Sequence, residues 1–396
     1  MKRVFIKTLA VLLLSLSLSA SASAFPLRAR ALFIGDIMAH KQQLDAAEAR
    51  GTGGTKTWDF TPQFRRVKPL LKDALIVGNL ETTFAGAAKG YAGYPSFNTP
   101  DSLTDALTDL GVHLVTLANN HILDRGAEGA RRTVEVLDRA GILWTGLGLN
   151  GIPRNDALLV EREGLRWAFV SYSYGSNRVL SSSDVYLNVI SESAISEGMA
   201  RARALRPDLI VACFHWGQEY RFAPSASQRK AAESALAHGA HLVIGTHPHV
   251  LQPMEVRLSP DGNGADARLI AWSLGNFVSF QRTLPRERSC ILAVEAVKPS
   301  KGESARLIRV SVAPTRVALV PSGKGRRAEV TYAGTGGSFN HAGLPASEQD
   351  RNRTAGQRVL DFLGAAQEPD SDGFYTLWSA EEPGRLPVPR LKSPND

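Results

Sequence analysis

Eight short apolar runs, each rich in β-branched, leucine or aromatic residues, recur along the chain at 31–35, 74–78, 113–117, 167–172, 209–214, 241–245, 269–274 and 290–294. Amphipathic stretches of helical length stand between them at 62–72, 101–110, 127–140, 193–205 and 225–238. This alternation is the pattern of βαβ units, in which crossover helices bury strands on both faces. Several stretches carry helix punctuation: Pro100-Asp101-Ser102 opens one, and Gly111, Gly141 and Gly239 close three. The chain reads as α/β.

The polar residues that end these runs carry the chemistry. In chain order they are Asp36, then Asn79 and Glu81, then Asn119, Asn120 and His121, then His215, then His247 and His249. Open α/β sheets bind ligands outside the carboxyl ends of their strands, so five separate segments can converge on one sheet edge. Carboxylates supply charge and can bridge two ions, imidazoles supply directional nitrogens, and an asparagine adds a neutral oxygen. This mixed set suits a divalent cation of the Mn, Zn or Fe(II) kind better than Mg or Ca, which prefer oxygen alone. Each residue by itself is equally a turn, a cap or a satisfied core group. The ordered set of five carries the reading. His40, four residues after Asp36, is a candidate extra ligand. His113 reads as a packed strand residue, His238 and His241 flank a helix stop, and His341 lies in the polar C-terminal region.

The start of the chain bears on its compartment. Lys2, Arg3 and Lys7 precede a mostly apolar stretch from Leu9 to Leu18, and Ala22-Ser23-Ala24 is a small-x-small cleavage pattern. Residues 1–24 therefore read as a signal peptide, with an uncleaved anchor as the alternative, although the stretch is shorter than a spanning helix needs. The expected product is exported, periplasmic or extracellular, and soluble. The net charge of +8 comes without a Lys/Arg run longer than two, which argues against nucleic acid as a partner. Cys213 and Cys290 both sit in apolar runs and read as buried strand residues, with a disulfide between them left open. Composition turns polar after residue 298: strands are expected within 306–320, a short helix at 354–363 and a loosely held, proline-bearing tail from 368.

The ordered set GDIM, GNLE, LANNHILDRGAEG, HWGQEY, GTHPHVLQPME and SLGNF resembles the CapA family of poly-γ-glutamate capsule biosynthesis proteins, itself similar to the calcineurin-type metallophosphoesterases. The resemblance spans residues 32–278. It implies a four-layer β-sandwich flanked by helices, here over 27–297, with a small β-containing extension over 298–396. It implies metal ligation by Asp36, Glu81, Asn120, His215, His247 and His249, around one or two ions. His121 would meet the substrate, with Asp124 orienting its imidazole. Asn79 and Asn119 would support the ligands or the substrate, Asn276 would do so or simply form a turn, and Glu219 and Tyr220 lie near enough to His215 in sequence to help hold substrate. Two departures stand out: Met38 replaces a metal-binding histidine of the first motif, and Glu81 replaces a shorter bridging aspartate. The implied function is a metal-dependent hydrolase acting on a phosphoester or anionic envelope polymer in poly-γ-glutamate synthesis or export. The cation would supply an activated water, and His121 would stabilise the developing oxyanion. The alternative is a non-catalytic component that binds polymer within a capsule export complex at the membrane.

Overall fold

The computed structural model describes residues 25–50, 55–150, 152–155, 157–178, 185–258, 266–323, 325–335, 343–383 and 386. The expected leader and His341 lie outside them. From the N-terminus the chain forms β1 (Leu27–Ile37), α1 (Lys41–Ala47), β2 (Leu75–Leu80), α2 (Leu103–Asp109), β3 (Leu114–Thr116), α3 (Gly126–Ala140) and β4 (Leu143–Thr145). It continues through β5 (Leu158–Arg162), β6 (Leu165–Ser173), α4 (Glu192–Ala204), β7 (Leu209–His215), α5 (Ala226–Ala237), β8 (Leu242–Thr246), β9 (Met254–Arg257) and β10 (Arg268–Ala271). The last part comprises β11 (Asn276–Val278), β12 (Arg288–Lys298), β13 (Arg306–Ser322), β14 (Gly325–Tyr332), α6 (Ala346–Leu363) and β15 (Tyr375–Ser379). Short strands between 48 and 58 and between 147 and 187 stand outside the two main sheets.

The first sheet has the order β14-β13-β12-β1-β2-β3-β4, with β11 also paired to β1 and β15 to β13. The second has the order β9-β10-β8-β7-β6-β5. In each, the central strands run parallel: β1 to β4 in one, and β6, β7, β8 and β10 in the other. Strand periodicity explains how the sheets stack, because successive side chains point to opposite faces. In β7, Leu209, Val211 and Cys213 join the large core shared with the first sheet, while Ile210, Ala212 and Phe214 pack with Ile195 and Met199 of α4 and Ala232 and Ala235 of α5. Helices α2 and α3 contribute Leu107, Val134 and Leu137 to the large core. The result is the four-layer α/β sandwich that the resemblance implies. Each buried Leu, Ile or Val contributes on the order of 1.5–3 kcal/mol, so this double-sided burial dominates what holds the layers together.

Three expectations change. The helix expected at 62–72 is two short 3-10 turns, Thr61–Gln63 and Lys68–Leu70, each with a proline in its first turn. Pro69 has no N–H to carry a longer helix through that stretch. The boundary expected at 298 falls in the hairpin between β12 and β13, and β13, β14 and β15 continue the first sheet. Part of the expected loose tail is β15, where Tyr375, Leu377 and Trp378 are buried. The short helix at 354–363 is the C-terminal half of α6, which packs against β12 and β13. Cys213 and Cys290 are free and buried, one in each sheet, and burial pushes the Cys213 thiol up to about 12. Among the described residues no helix is long and apolar enough to cross a membrane.

Candidate metal centre

Strand register draws the site. In the first sheet Asn276, Asp36, Asn79 and Thr116 lie side by side across β11, β1, β2 and β3. In the second sheet Ser173, His215 and Thr246 do the same across β6, β7 and β8. The two rows face each other at the carboxyl ends of the parallel strands. Two glycines let neighbouring backbones come close within each sheet. A Cβ at Gly35 would stand 1.9 Å from the Gly275 carbonyl oxygen, and one at Gly245 2.0 Å from that of Trp272. These are the residues that precede Asp36 and Thr246-His247. Beyond β8 the chain turns sharply, and His247 and His249 adopt φ of 94° and 57°, a left-handed backbone rare outside glycine and frequent at functional sites.

Asp36 is buried, with Oδ1 accepting from Asn79 Nδ2 at 2.8 Å and Oδ2 accepting from the His247 N–H at 3.3 Å. Asn79 is held in that orientation because its Oδ1 accepts from Thr116 Oγ1 and Asn119 Nδ2. His249 Nδ1 lies between two acceptors, Asp36 Oδ2 at 3.1 Å and Asn276 Oδ1 at 3.0 Å, so it carries the proton. Its Nε2 lone pair then faces Glu81 Oε1 at 3.7 Å. His121 repeats the arrangement: Nδ1 meets Asp124 Oδ2 at 2.8 Å, and Nε2 faces Glu81 Oε1 at 4.0 Å. His215 Nε2 stands 3.7 Å from the same oxygen and 2.7 Å from Asn120 Oδ1.

Glu81 is thus the hub, and it is starved of donors. It is fully buried, and among the described residues neither carboxylate oxygen receives a hydrogen bond. Burial, reinforced by the Asp36 carboxylate beside it, holds its acid form well above the usual carboxylate range. His247 Nδ1 is likewise buried without a partner among the described residues. Burial and neighbouring imidazoles pull His247 down to about 4 and His215 well below the normal histidine value. Both rings are therefore neutral at pH 7 and offer lone pairs. Two donor groups, Asp36-Glu81-His215 and Glu81-His247-His249, each have ligand atoms within 4.8 Å of one another and share Glu81. Unpaired buried carboxylate oxygens surrounded by neutral imidazoles form a place where a cation fits and water-free protein alone does not.

Some expected residues lie outside the donor groups. His40 is the N-cap of α1, its Nδ1 accepts the Phe280 N–H at 3.2 Å, and it belongs to neither group. Glu219 is exposed and acts on Glu81 only through its charge. Tyr220 lines the site beside His249, with ring centroids 6.2 Å apart. Met38 is buried and offers neither nitrogen nor carboxylate at the first motif. Other residues were not singled out by sequence. The Tyr174 ring lies tilted beside His247, centroids 4.6 Å apart, Asn177 bonds to Asn120, and Phe97 meets the His121 ring edge-on at 4.7 Å. Tyr174 and Asn177 follow the end of β6, so the strand-end criterion that found the histidines would also have found them.

The family described as "Bacterial capsule synthesis protein PGA_cap" matches residues 30–281. The chain is 26% identical over 255 residues to the capsule biosynthesis protein CapA of Bacillus anthracis, covering 62% of this chain and 58% of that one. It is 27% identical over 267 residues to the PGA biosynthesis protein CapA of Bacillus subtilis, covering 66% of each. The chain thus spans somewhat less than two thirds of the length of these curated relatives. The crystal structure of a novel phosphatase from Mycoplasma pneumoniae aligns over 72% of this chain and 93% of that one at 12% identity and a TM-score of 0.42, too slight a likeness to argue from. The match at 30–281 takes in more than half of the chain and every residue of the two donor groups, and the chain belongs to the PGA_cap family of bacterial capsule synthesis proteins.

Proposed function

We propose that this chain is an exported, metal-dependent hydrolase that acts on a phosphoester or an anionic envelope polymer during capsule poly-γ-glutamate synthesis or export. The observation that carries the reading is Glu81, buried with both carboxylate oxygens unpaired and three imidazole Nε2 atoms 3.7–4.0 Å from one of them. Asp36, Glu81, Asn120, His215, His247 and His249 would hold one or two ions of Mn, Zn or Fe. Such an ion, when bound, supplies Lewis acidity and a water acidic enough to react near neutral pH. The remaining work belongs to the chain. Asp124 fixes the His121 tautomer, which leaves Nε2 to accept or return a proton at the reacting oxygen. Asn276 and Asn79 hold His249 and Asp36 in place. Tyr174 and Tyr220 wall the entrance with aromatic surface. The place in capsule synthesis rests on the names of the relatives, and export rests on the leader-type start of the sequence.

Met38 favours a second reading, a polymer-binding component without catalysis, since it removes one ring ligand from the first motif. Elemental analysis of purified protein, with assays on phosphoester and γ-glutamyl substrates, separates the two. The proposal expects bound metal in the wild type and in His121→Ala but not in His247→Ala, with hydrolysis lowered about a hundredfold or more by His121→Ala. Metal-free protein that binds polymer equally in both variants would overturn it.

A further inference from the structure

The wall of the site beside His249 carries a cation that has no acid partner among the described residues. Tyr220 has a left-handed backbone, φ 65°, and its N–H donates to the Pro248 carbonyl at 2.8 Å, which ties it to the turn between His247 and His249. The Arg286 guanidinium lies over the Tyr220 ring, 3.4 Å from its centroid. Arg286 is anchored to the same turn, because Asn276 Nδ2 donates to its carbonyl at 3.0 Å while Asn276 Oδ1 meets His249 Nδ1. The next residue, Glu287, is buried and directed at Arg316, 3.7 Å away. Glu219 meets the Tyr220 hydroxyl, at the far edge of the ring. Among the described residues Arg286 forms no ion pair, unlike Arg257, Arg309, Arg316 and Arg327.

Tyr220 also lines a cleft of about 450 Å³, together with Gln218, Arg221, Phe222 and Ser225. Its floor is rigid. Gln228 donates to Gln252, and Gln252 in turn donates to the carbonyls of Arg221 and Ala223. Arg221 is exposed and forms no ion pair among the described residues. Stacking on an aromatic ring fixes the guanidinium plane and leaves its N–H fork free, the geometry that receives a phosphate or carboxylate.

We infer that Arg286, stacked on Tyr220, and Arg221 beyond it form an anion subsite for a second phosphate or carboxylate of the substrate. The preferred substrate is then an oligoanion whose charge next to the reacting group is held by Arg286, and a small ester with a single charged group uses only half of the site. This inference rests on the proposed function, which puts the reaction at the Asp36-Glu81-His249 cluster.

Calorimetry on protein loaded with manganese tests it, using glycerol 1-phosphate against glycerol 1,3-bisphosphate, and butyrate against tetra-γ-glutamate. Arg286→Gln is expected to weaken the bisphosphate, the tetramer or both by about tenfold or more, and to leave both single-unit probes within about twofold. The probe that loses more identifies the second anion as phosphate or carboxylate. Arg286→Lys, which keeps the charge without the fork, recovers part of the loss, and a melting curve matching the wild type shows that the variants are folded. Unchanged binding of both long probes, or equal losses for long and short ones, overturns the subsite. If the protein takes up no manganese yet still loses long-probe affinity in Arg286→Gln, the hydrolase reading fails and the subsite stands.

Discussion

Asn120 and Asn177 hold each other through backbone and side chain: the Asn177 N–H donates to the Asn120 carbonyl at 3.0 Å, and Asn120 Nδ2 donates to Asn177 Oδ1 at 3.3 Å. With Nδ2 engaged on that side, Asn120 Oδ1 turns inward to within 2.7 Å of His215 Nε2. Residues behind metal ligands commonly tune affinity by ten- to hundredfold. Asn177→Leu should therefore weaken manganese or zinc binding about tenfold, measured by competition with a chelating indicator. In an Asn120→Asp background the two carboxylate oxygens are equivalent and no amide needs orienting, so Asn177→Leu should have no further effect. Equal losses in both backgrounds would show that Asn177 acts in some other way.

Glu81 should trade stability against affinity. Its acid form is favoured by burial and by Asp36, so its folded pKa is raised. The sign follows from linkage: its contribution is fully present below the unfolded value near 4.5 and is lost as pH rises through the folded value. Without metal, Glu81→Gln should match the wild type near pH 4.5 and become the more stable of the two toward pH 8. With metal the order should reverse, because only the wild type gains from ion binding. Thermal melts with and without EDTA at the two pH values test both halves.

His241 should make the fold acid-sensitive. Its Nδ1 accepts the Ile210 N–H at 3.0 Å, and burial first, then the Arg268 charge, lower its pKa to about 4. A depressed value means stability that is present above the unfolded pKa of 6.5 and lost as pH falls toward 4. The loss is on the order of 3 kcal/mol. His241→Asn keeps an acceptor for Ile210 and does not titrate, so its urea midpoint should vary less between pH 7.5 and 4.5. An identical pH slope in both proteins would remove His241 as the cause.

Asp124 should matter to turnover and not to loading. Its Oδ2 accepts both from His121 Nδ1 and from the Phe97 N–H at 2.7 Å. Asp124→Asn disturbs the His121 tautomer without touching a donor atom of Asp36-Glu81-His215 or Glu81-His247-His249. Hydrolysis of a phosphoester should fall about a hundredfold or more while bound metal per chain stays constant. A parallel fall in metal content would place Asp124 among the groups that hold the ion.

The donor residues were legible because a strand end is a local event. An apolar run, then Gly-Asp, Asn-x-Glu, Asn-Asn-His or His-Pro-His, states where the pleat stops and what chemistry follows, and Gly35 and Gly245 mark where backbones must come close. Asp36, Glu81, His215, His247 and His249 sit together as that pattern anticipates. The α/β class was likewise written in the alternation of runs.

What the sequence could not decide depends on partners far away along the chain. His40, four residues from Asp36, was drawn to the Phe280 N–H, a contact across 240 residues. Cys213 and Cys290 were separated because their strands belong to different sheets. The region beyond 298 joined the first sheet because β13 found β12 as an open edge. Arg286 met Tyr220 only once the two sheets stacked. Local pattern sets which residues end strands, by periodicity and turn chemistry. Only the packing of one sheet on the other sets distances between those ends, and a buried carboxylate with no donor is a statement about distances.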